Sequence, residues 1–167
     1  MNWSDLFQDA LFAAIAAIGF ACISRPVGRA YGFCALIAAL GHSLRYLLLY
    51  AAFSGLHIVA ATFVASVLVG VMAVLSSQII RSPAETLLFP ALLPMIPGIY
   101  AYKAAAALAM CAMRDGQDAF MRYFPIFTFN ALTAGCILLA MVVGATLPVV
   151  AMKNLSFTAT RLSLIHI

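Results

Sequence analysis

Charged residues are what this sequence has least of: they make up only 8% of its 167 residues, against 66% that are hydrophobic. Soluble domains are about a quarter charged and about half apolar. A chain with so few charged groups cannot cover the surface of a globule with polar side chains. The scarcity of charge therefore excludes an ordinary soluble domain and predicts an integral membrane protein that contacts the lipid bilayer.

Several patterns that carry chemistry are also missing from the sequence. It has no HExxH pair, no glycine-rich phosphate loop, no CxxC, and no Ser/His/Asp arrangement at a readable spacing. The net charge of +4 is scattered, without the basic cluster that a nucleic-acid-binding surface needs. These absences argue against an enzyme, a metal, a cofactor and a nucleic-acid partner. The five acids are predicted to lie at the ends of spans or in loops; they are Asp5, Asp9, Glu85, Asp115 and Asp118.

Apolar runs long enough to cross a bilayer, roughly 17–25 residues each, recur along the whole chain. The five runs are Leu6–Ser24, Tyr31–Phe53, Ile58–Ile80, Thr86–Met113 and Tyr123–Met152. They predict an all-α integral membrane protein, a five-span helical bundle with a proline-broken fourth helix. Residues 1–152 form this transmembrane half-domain, and residues 153–167 are predicted to be a cytoplasmic tail. His42 and Arg45 interrupt the second run, which leaves open four spans plus a re-entrant second segment.

The orientation is predicted from lysines and arginines near the ends of the spans, because the side that carries more of them usually faces the cytoplasm. With five spans, one side receives Arg25, Arg29, Arg81, Lys153 and Arg161, and the other receives Arg114 and Arg122. This asymmetry predicts an external N-terminus and a cytoplasmic C-terminus. The first run lacks a basic stretch before it, so we expect a retained helix instead of a signal peptide.

Small residues recur four positions apart in three of the runs. These stripes are Ala13, Ala17 and Ala21; Thr62, Ser66 and Gly70; and Ala101, Ala105 and Ala109. Small side chains let helix backbones approach closely in lipid, where no hydrophobic effect drives helix association. The stripes predict tight packing within the bundle or against a partner chain.

The fourth run contains FPALLPMIPG, Phe89–Gly98, with three prolines and a glycine. Each proline lacks an amide donor and costs a helix interior about 3 kcal/mol. Backbone groups freed in this way are tolerated within a membrane only where they face protein or a wet cavity. We expect the helix to restart after Pro97, so that its first amides can bind a carboxylate. The alternative is a kinked structural helix. The predicted binding residues of this run are Pro94, Pro97, Gly98, Tyr100 and Lys103.

GHSLR in the second run places His42 and Arg45 three residues apart, on one helix face. A charge at the centre of a span costs roughly 2.5–3.5 kcal/mol, which favours a functional role over a guanidinium that reaches the interface. Because no acid is expected inside a span, the predicted counter-ion of Arg45 is an acid of a partner chain or an anionic substrate. In the fifth run, Asn130 and Thr133 also share a face, where they bind either another helix or the substrate.

Four stretches resemble the threonine/serine exporter family: FPALLPMIPGIYAYKA, GHSLR, TFVASVLVG and NALTAG. The chain is most similar to the C-terminal half-domain of that family when it is encoded separately, as in the small subunit of two-component succinate exporters. The resemblance implies a larger partner subunit and export of small amino acids or dicarboxylates across the bacterial inner membrane.

An odd number of spans implies a partner half of inverted topology, with a higher oligomer as a further expectation. The substrate is expected to be a small anionic or zwitterionic solute. Three cationic side chains in the spans favour a succinate-like dicarboxylate over threonine or serine. The alternative function is a non-transporting assembly or scaffold subunit of a membrane complex, which would leave the triple-proline stretch without an explanation.

Overall fold

A computed structural model describes residues 3–50, 55–114 and 116–152, and these residues form helices and short connections without any strand. The helices are α1 (Trp3–Ser24), α2 (Ala30–Tyr50), α3 (Ile58–Ile80), α4 (Ala84–Leu92), a 3-10 helix (Leu93–Met95), α5 (Gly98–Met113) and α6 (Gln117–Ala151). The predicted all-α fold class is confirmed. The predicted tail, residues 153–167, lies outside the described residues.

Specific caps mark both ends of α3, the most apolar helix. At its start, the His57 ring accepts a hydrogen bond from the amide of Val59, with 3.4 Å between nitrogen atoms. At its end, Arg81 adopts the left-handed conformation with φ 57°, and its amide donates to the carbonyl of Ser77. Both caps satisfy backbone groups that the helix itself leaves without a partner.

Two compact units divide the chain, and the first comprises residues up to Met95 together with those from Ala140 onward. Its core lies among α1, α2, α3 and α4, which pack against one another. The stripe on α1 is buried there, as its spacing predicts. The main apolar members of this core are Ala13, Ala17 and Ala21 of α1, Cys34, Ile37 and Ala38 of α2, and Leu87, Ala91 and Met95 in the first part of the fourth run.

Helix α3 and the last part of α6, both in the first unit, approach each other through glycine. A Cβ atom on Gly70 would lie 2.5 Å from the carbonyl oxygen of Ala145. One on Gly144 would lie 2.7 Å from the carbonyl oxygen of Phe63 and 2.9 Å from Oγ of Ser66. The second small-residue stripe therefore serves the close helix packing that it predicts.

The second unit comprises Ile96–Leu139, which includes α5 and the first part of α6. On α5 the buried residues are Ala104 and Ala107, which are three residues apart. The stripe Ala101, Ala105 and Ala109 is exposed. This third stripe therefore packs against no described part of the chain, because α5 turns a different face inward.

In the part of the chain that the structure describes, four single helices are long and apolar enough to cross a membrane, namely α1, α2, α3 and α6. A fifth span results if α4 and α5 together form one broken span. Because α2 is continuous over 21 residues, nothing in its described structure favours a re-entrant second segment. The number of spans depends instead on whether α4 and α5 together cross the membrane.

Helix α6 differs from its prediction by beginning at Gln117, six residues before the predicted run at Tyr123. Residues 117–122 were expected to be a loop because two of them are charged. They nevertheless contain good helix formers, and Asp118 lies in the first turn, where a negative charge stabilises a helix. At 35 residues, α6 is about 52 Å long and exceeds the roughly 30 Å of a bilayer core.

Candidate functional site

The fourth run is interrupted between Leu92 and Gly98. Helix α4 ends at Leu92, a single 3-10 turn follows, and α5 begins at Gly98. The Gly98 amide donates to the carbonyl of Ile96, two residues earlier, at 2.8 Å. The amide of Ala101 then donates to the carbonyl of Pro97 at 3.1 Å, which begins the regular pattern of α5. The first amide of α5 therefore bonds a carbonyl two residues earlier, and the regular helical hydrogen bonds resume only at Ala101.

Two side chains of α2 face carbonyls of the fourth run, one in α4 and one at the interruption. Pro90 has no amide for the Thr86 carbonyl, and Sγ of Cys34 lies 4.0 Å from that oxygen, at the limit of a weak hydrogen bond. The Met95 carbonyl accepts a hydrogen bond from Nη1 of Arg45 at 3.1 Å. One face of α2 thus supplies donors to the backbone at two points about three helical turns apart.

Next to this contact, His42 on α2 meets Asp9 on α1. Nδ1 of His42 lies 3.2 Å from Oδ2 of Asp9, and His42 is only 5% exposed. Asp9 is partly exposed and also interacts electrostatically with Arg45. The site therefore consists of one carboxylate, one imidazole and one guanidinium at the interrupted segment.

Asp9, an acid of this chain, interacts electrostatically with Arg45 and so joins the predicted counter-ions, which are an acid of a partner chain or an anionic substrate. Asp9 precedes the buried alanines of α1 at a spacing of four, in series with Ala13, Ala17 and Ala21. Side chains four apart share a helix face, so Asp9 points toward the same neighbour as those alanines. This four-residue spacing is the sequence signal that places Asp9 on the buried face of α1. Asp9 lies near the start of the first run, and for that reason it is predicted above to lie at the end of a span.

The other predicted residues of the fourth run occupy different environments. Pro94 is half-buried and Pro97 is buried. Gly98 is exposed, and a Cβ atom there would meet nothing within 4 Å. Tyr100 is half-buried and Lys103 is exposed, both in the second unit.

Asn130 and Thr133, predicted to bond across helices or to contact substrate, bond within α6. The Asn130 amide nitrogen donates to the carbonyl of Ile126 at 2.7 Å. The Thr133 hydroxyl donates to the carbonyl of Phe129 at 2.8 Å. Such bonds to the preceding turn are a common way to satisfy a polar side chain inside a helix. They explain how α6 carries these groups in an apolar run.

Comparisons with known proteins cover most of the chain. The family model described as "Threonine/Serine exporter, ThrE" matches residues 9–151. An uncharacterized protein of Haemophilus influenzae is 36% identical over 143 residues, which is 86% of this chain and 46% of the relative. The chain thus spans about half the length of that relative. No solved structure matches the chain.

The family match begins at Asp9 and ends at the last residue of α6. It includes His42, Arg45 and Met95, so the whole site lies within the matched region. The helical, apolar fold with four or five helices able to span a membrane agrees with a membrane transporter. The chain belongs to the threonine/serine exporter family.

Proposed function

We propose that this chain is the small membrane subunit of a two-component exporter of small carboxylates. The proposed substrate is a succinate-like dicarboxylate, with threonine or serine as the alternative. The observation that carries the proposal is the contact of Arg45 with the interrupted fourth run, beside Asp9 and His42. Membership of an exporter family supports a transporter over an enzyme or a scaffold subunit.

Arg45 is the proposed ligand of the substrate carboxylate. A guanidinium has five N–H donors in a planar fork, and the bond to the Met95 carbonyl uses Nη1. The fork matches the two oxygens of a carboxylate with parallel hydrogen bonds. An arriving carboxylate can bind the remaining donors or compete with the Met95 carbonyl. His42 is either a second ligand of the carboxylate or a proton carrier.

The start of α5 is a separate candidate within the second unit. Its first-turn amides, those after Gly98, have no carbonyl partner within the helix. Tyr100 and Lys103 lie in its first two turns. We propose these groups, with Pro94, Pro97 and Gly98 shaping the segment, as further substrate contacts. Asn130 and Thr133 become contacts only if the substrate replaces a bond to their own helix.

We propose a partner half from the expected number of spans. The chain covers only 46% of the relative that it matches. Five spans would reverse the orientation of a second, related half, which is the plan of many transporters. We propose a larger subunit of the same family with inverted topology, in the bacterial inner membrane.

The two-component proposal is tested by metabolite efflux from four matched strains. They express this chain, the larger subunit, both, or neither, and succinate, threonine and serine in the medium are measured by mass spectrometry. Export is expected only where both are present, because each half supplies part of the pathway. Full export by this chain alone would refute the need for a partner. If both subunits insert and efflux is the same as in the strain that expresses neither, the scaffold function would be favoured.

Topology is tested by reporter fusions at residues 28, 56, 83 and 117, which lie between successive helices or at a helix start. Five spans predict cytoplasmic, external, cytoplasmic and external positions, in that order. Agreement between 83 and 117 would make the α4–α5 pair re-entrant and leave four spans. Agreement between 28 and 56 would instead show that α2 does not cross. Either outcome contradicts the five-span arrangement and with it the cytoplasmic C-terminus.

A further inference from the structure

His42 is buried, and the nitrogen that contacts Asp9 is Nδ1. Because an ionised carboxylate only accepts hydrogen bonds, Nδ1 carries the proton when the imidazole is neutral and faces Asp9. Nε2 then holds a lone pair. Nε2 is buried and has no hydrogen-bond partner among the residues that the structure describes. An unpartnered lone pair in a side chain that is 5% exposed is a site where one further proton can bind.

Two opposite charges lie near the His42 side chain: Asp9 contacts its Nδ1, and Arg45 follows three residues later on α2. Asp9 interacts electrostatically with both His42 and Arg45. Helix α3, which packs against α2, carries no charged or tyrosine residue. The charged and tyrosine side chains on the helices packed around His42 are Asp5 and Asp9 of α1, Tyr31, Arg45, Tyr46 and Tyr50 of α2, and Glu85 in the first turn of α4.

We propose that Asp9 and His42 form a proton-binding site coupled to carboxylate binding at Arg45, an inference that rests on the proposed function. With a neutral imidazole, the charges of Asp9 and Arg45 cancel. A bound carboxylate would then leave one unbalanced negative charge among apolar helices, which is costly. The lone pair of Nε2 takes up one proton from solution to form an N–H bond, and the imidazolium balances the charge of the carboxylate held at Arg45. Binding of that carboxylate therefore takes up one proton.

Thermodynamic linkage makes this proton uptake measurable as a slope of log Kd against pH. If binding takes up one proton, the Kd rises about tenfold per pH unit wherever His42 is neutral before the carboxylate binds. Where His42 is already protonated before binding, the Kd does not change with pH. The slope belongs to the pair, so it should vanish when either member loses its charge.

Two variants separate the members of the pair. His42→Gln removes the titrating group and should give a Kd that does not change with pH. Asp9→Asn leaves Arg45 without its counter-charge, so the carboxylate alone neutralises it and no proton is required. We therefore expect Asp9→Asn to bind more tightly than wild type at high pH. His57→Gln is the matched control, since His57 is exposed and caps α3, and it should retain the wild-type slope.

The experiment measures binding of radiolabelled succinate to the full chain with its larger subunit in lipid nanodiscs, from about pH 5.5 to about pH 9, the range in which histidine titrates. The expected result is the tenfold slope in wild type and His57→Gln and its loss in both pair variants. A wild-type slope that persists in His42→Gln and Asp9→Asn overturns the coupling and leaves the proposed function standing. No saturable binding of succinate or threonine at any pH contradicts the proposed function itself.

A second readout needs no substitution in the pair. The protein has three histidines, so a variant with His57→Gln and His166→Gln leaves His42 as its single histidine. Nitrogen-15 NMR of that imidazole, recorded at a pH where Nε2 is unprotonated without ligand, should show Nε2 protonated once succinate is added. An Nε2 signal that succinate does not change overturns the coupling.

Discussion

Replacing Arg45 with lysine should lower the export rate roughly 10- to 100-fold while the protein still inserts and assembles. Lysine keeps a positive charge and can still donate to the Met95 carbonyl, so the interrupted segment retains its donor. It loses the planar fork that holds a carboxylate by two parallel bonds. A hydrogen bond to a charged group contributes about 1.5–3 kcal/mol, and about 1.4 kcal/mol corresponds to a factor of ten.

Efflux is measured at matched protein abundance, and two further variants define the comparison. Arg29→Lys changes an exposed arginine between α1 and α2, so export should stay at the wild-type rate. Arg45→Ala should lower both export and stability, because it also leaves the Met95 carbonyl without its donor. Wild-type efflux in Arg45→Lys would show that Arg45 serves only to bond the backbone of the fourth run.

Adding a single methyl group at Gly70 or Gly144 should destabilise the protein by about 1–3 kcal/mol, the usual cost of overpacking. Each new Cβ would lie within 2.7 Å of a backbone oxygen on the facing helix, and backbone cannot move aside as a side chain can. Helices α3 and α6 would have to separate, which weakens dispersion contacts along their interface. The effect is measured as a lower midpoint of thermal unfolding in detergent or nanodiscs.

Gly135→Ala is the matched control on α6, since a Cβ atom there would meet nothing within 4 Å. It should be neutral or stabilise the helix by up to about 1 kcal/mol, because alanine is the better helix former. Equal stability of Gly70→Ala, Gly144→Ala and Gly135→Ala would contradict the close α3–α6 contact.

Much of the fold follows from run length and hydropathy. The predicted third run coincides with α3, and the others differ from the described helices mainly at their ends. The apolar runs do not predict the start of α6, because Gln117–Arg122 contains two charged residues, although charge does not prevent a helix from extending beyond a bilayer. The face that α5 buries was also missed, because alanine occurs on most of its faces and gives no directional signal.

The site was predictable in part. The common face of His42 and Arg45 follows from their spacing, and the interruption of the fourth run follows from its prolines. Local sequence does not show which distant side chain donates to which backbone carbonyl of the interrupted run, or which acid contacts His42. Arg45 donates to a carbonyl 50 residues away, and His42 bonds an acid 33 residues away. Only the register of Asp9 with the buried alanines of α1 gave a usable signal.

Arg45 has two roles to distinguish: it bonds the backbone of the fourth run, and it is proposed to bind a substrate carboxylate. Loss of transport in a variant reports on both roles together. A distance between Arg45 and the bound carboxylate reports on the second role alone.

That distance is accessible by solid-state NMR on the complete exporter in lipid, with nitrogen-15 in the arginine side chains and carbon-13 in the carboxylates of succinate. We predict a dipolar coupling that corresponds to about 4 Å, the separation in a bidentate arginine–carboxylate pair, and its loss in Arg45→Lys. Bound succinate without that coupling, or with a coupling that persists in Arg45→Lys, would show that Arg45 does not hold the substrate.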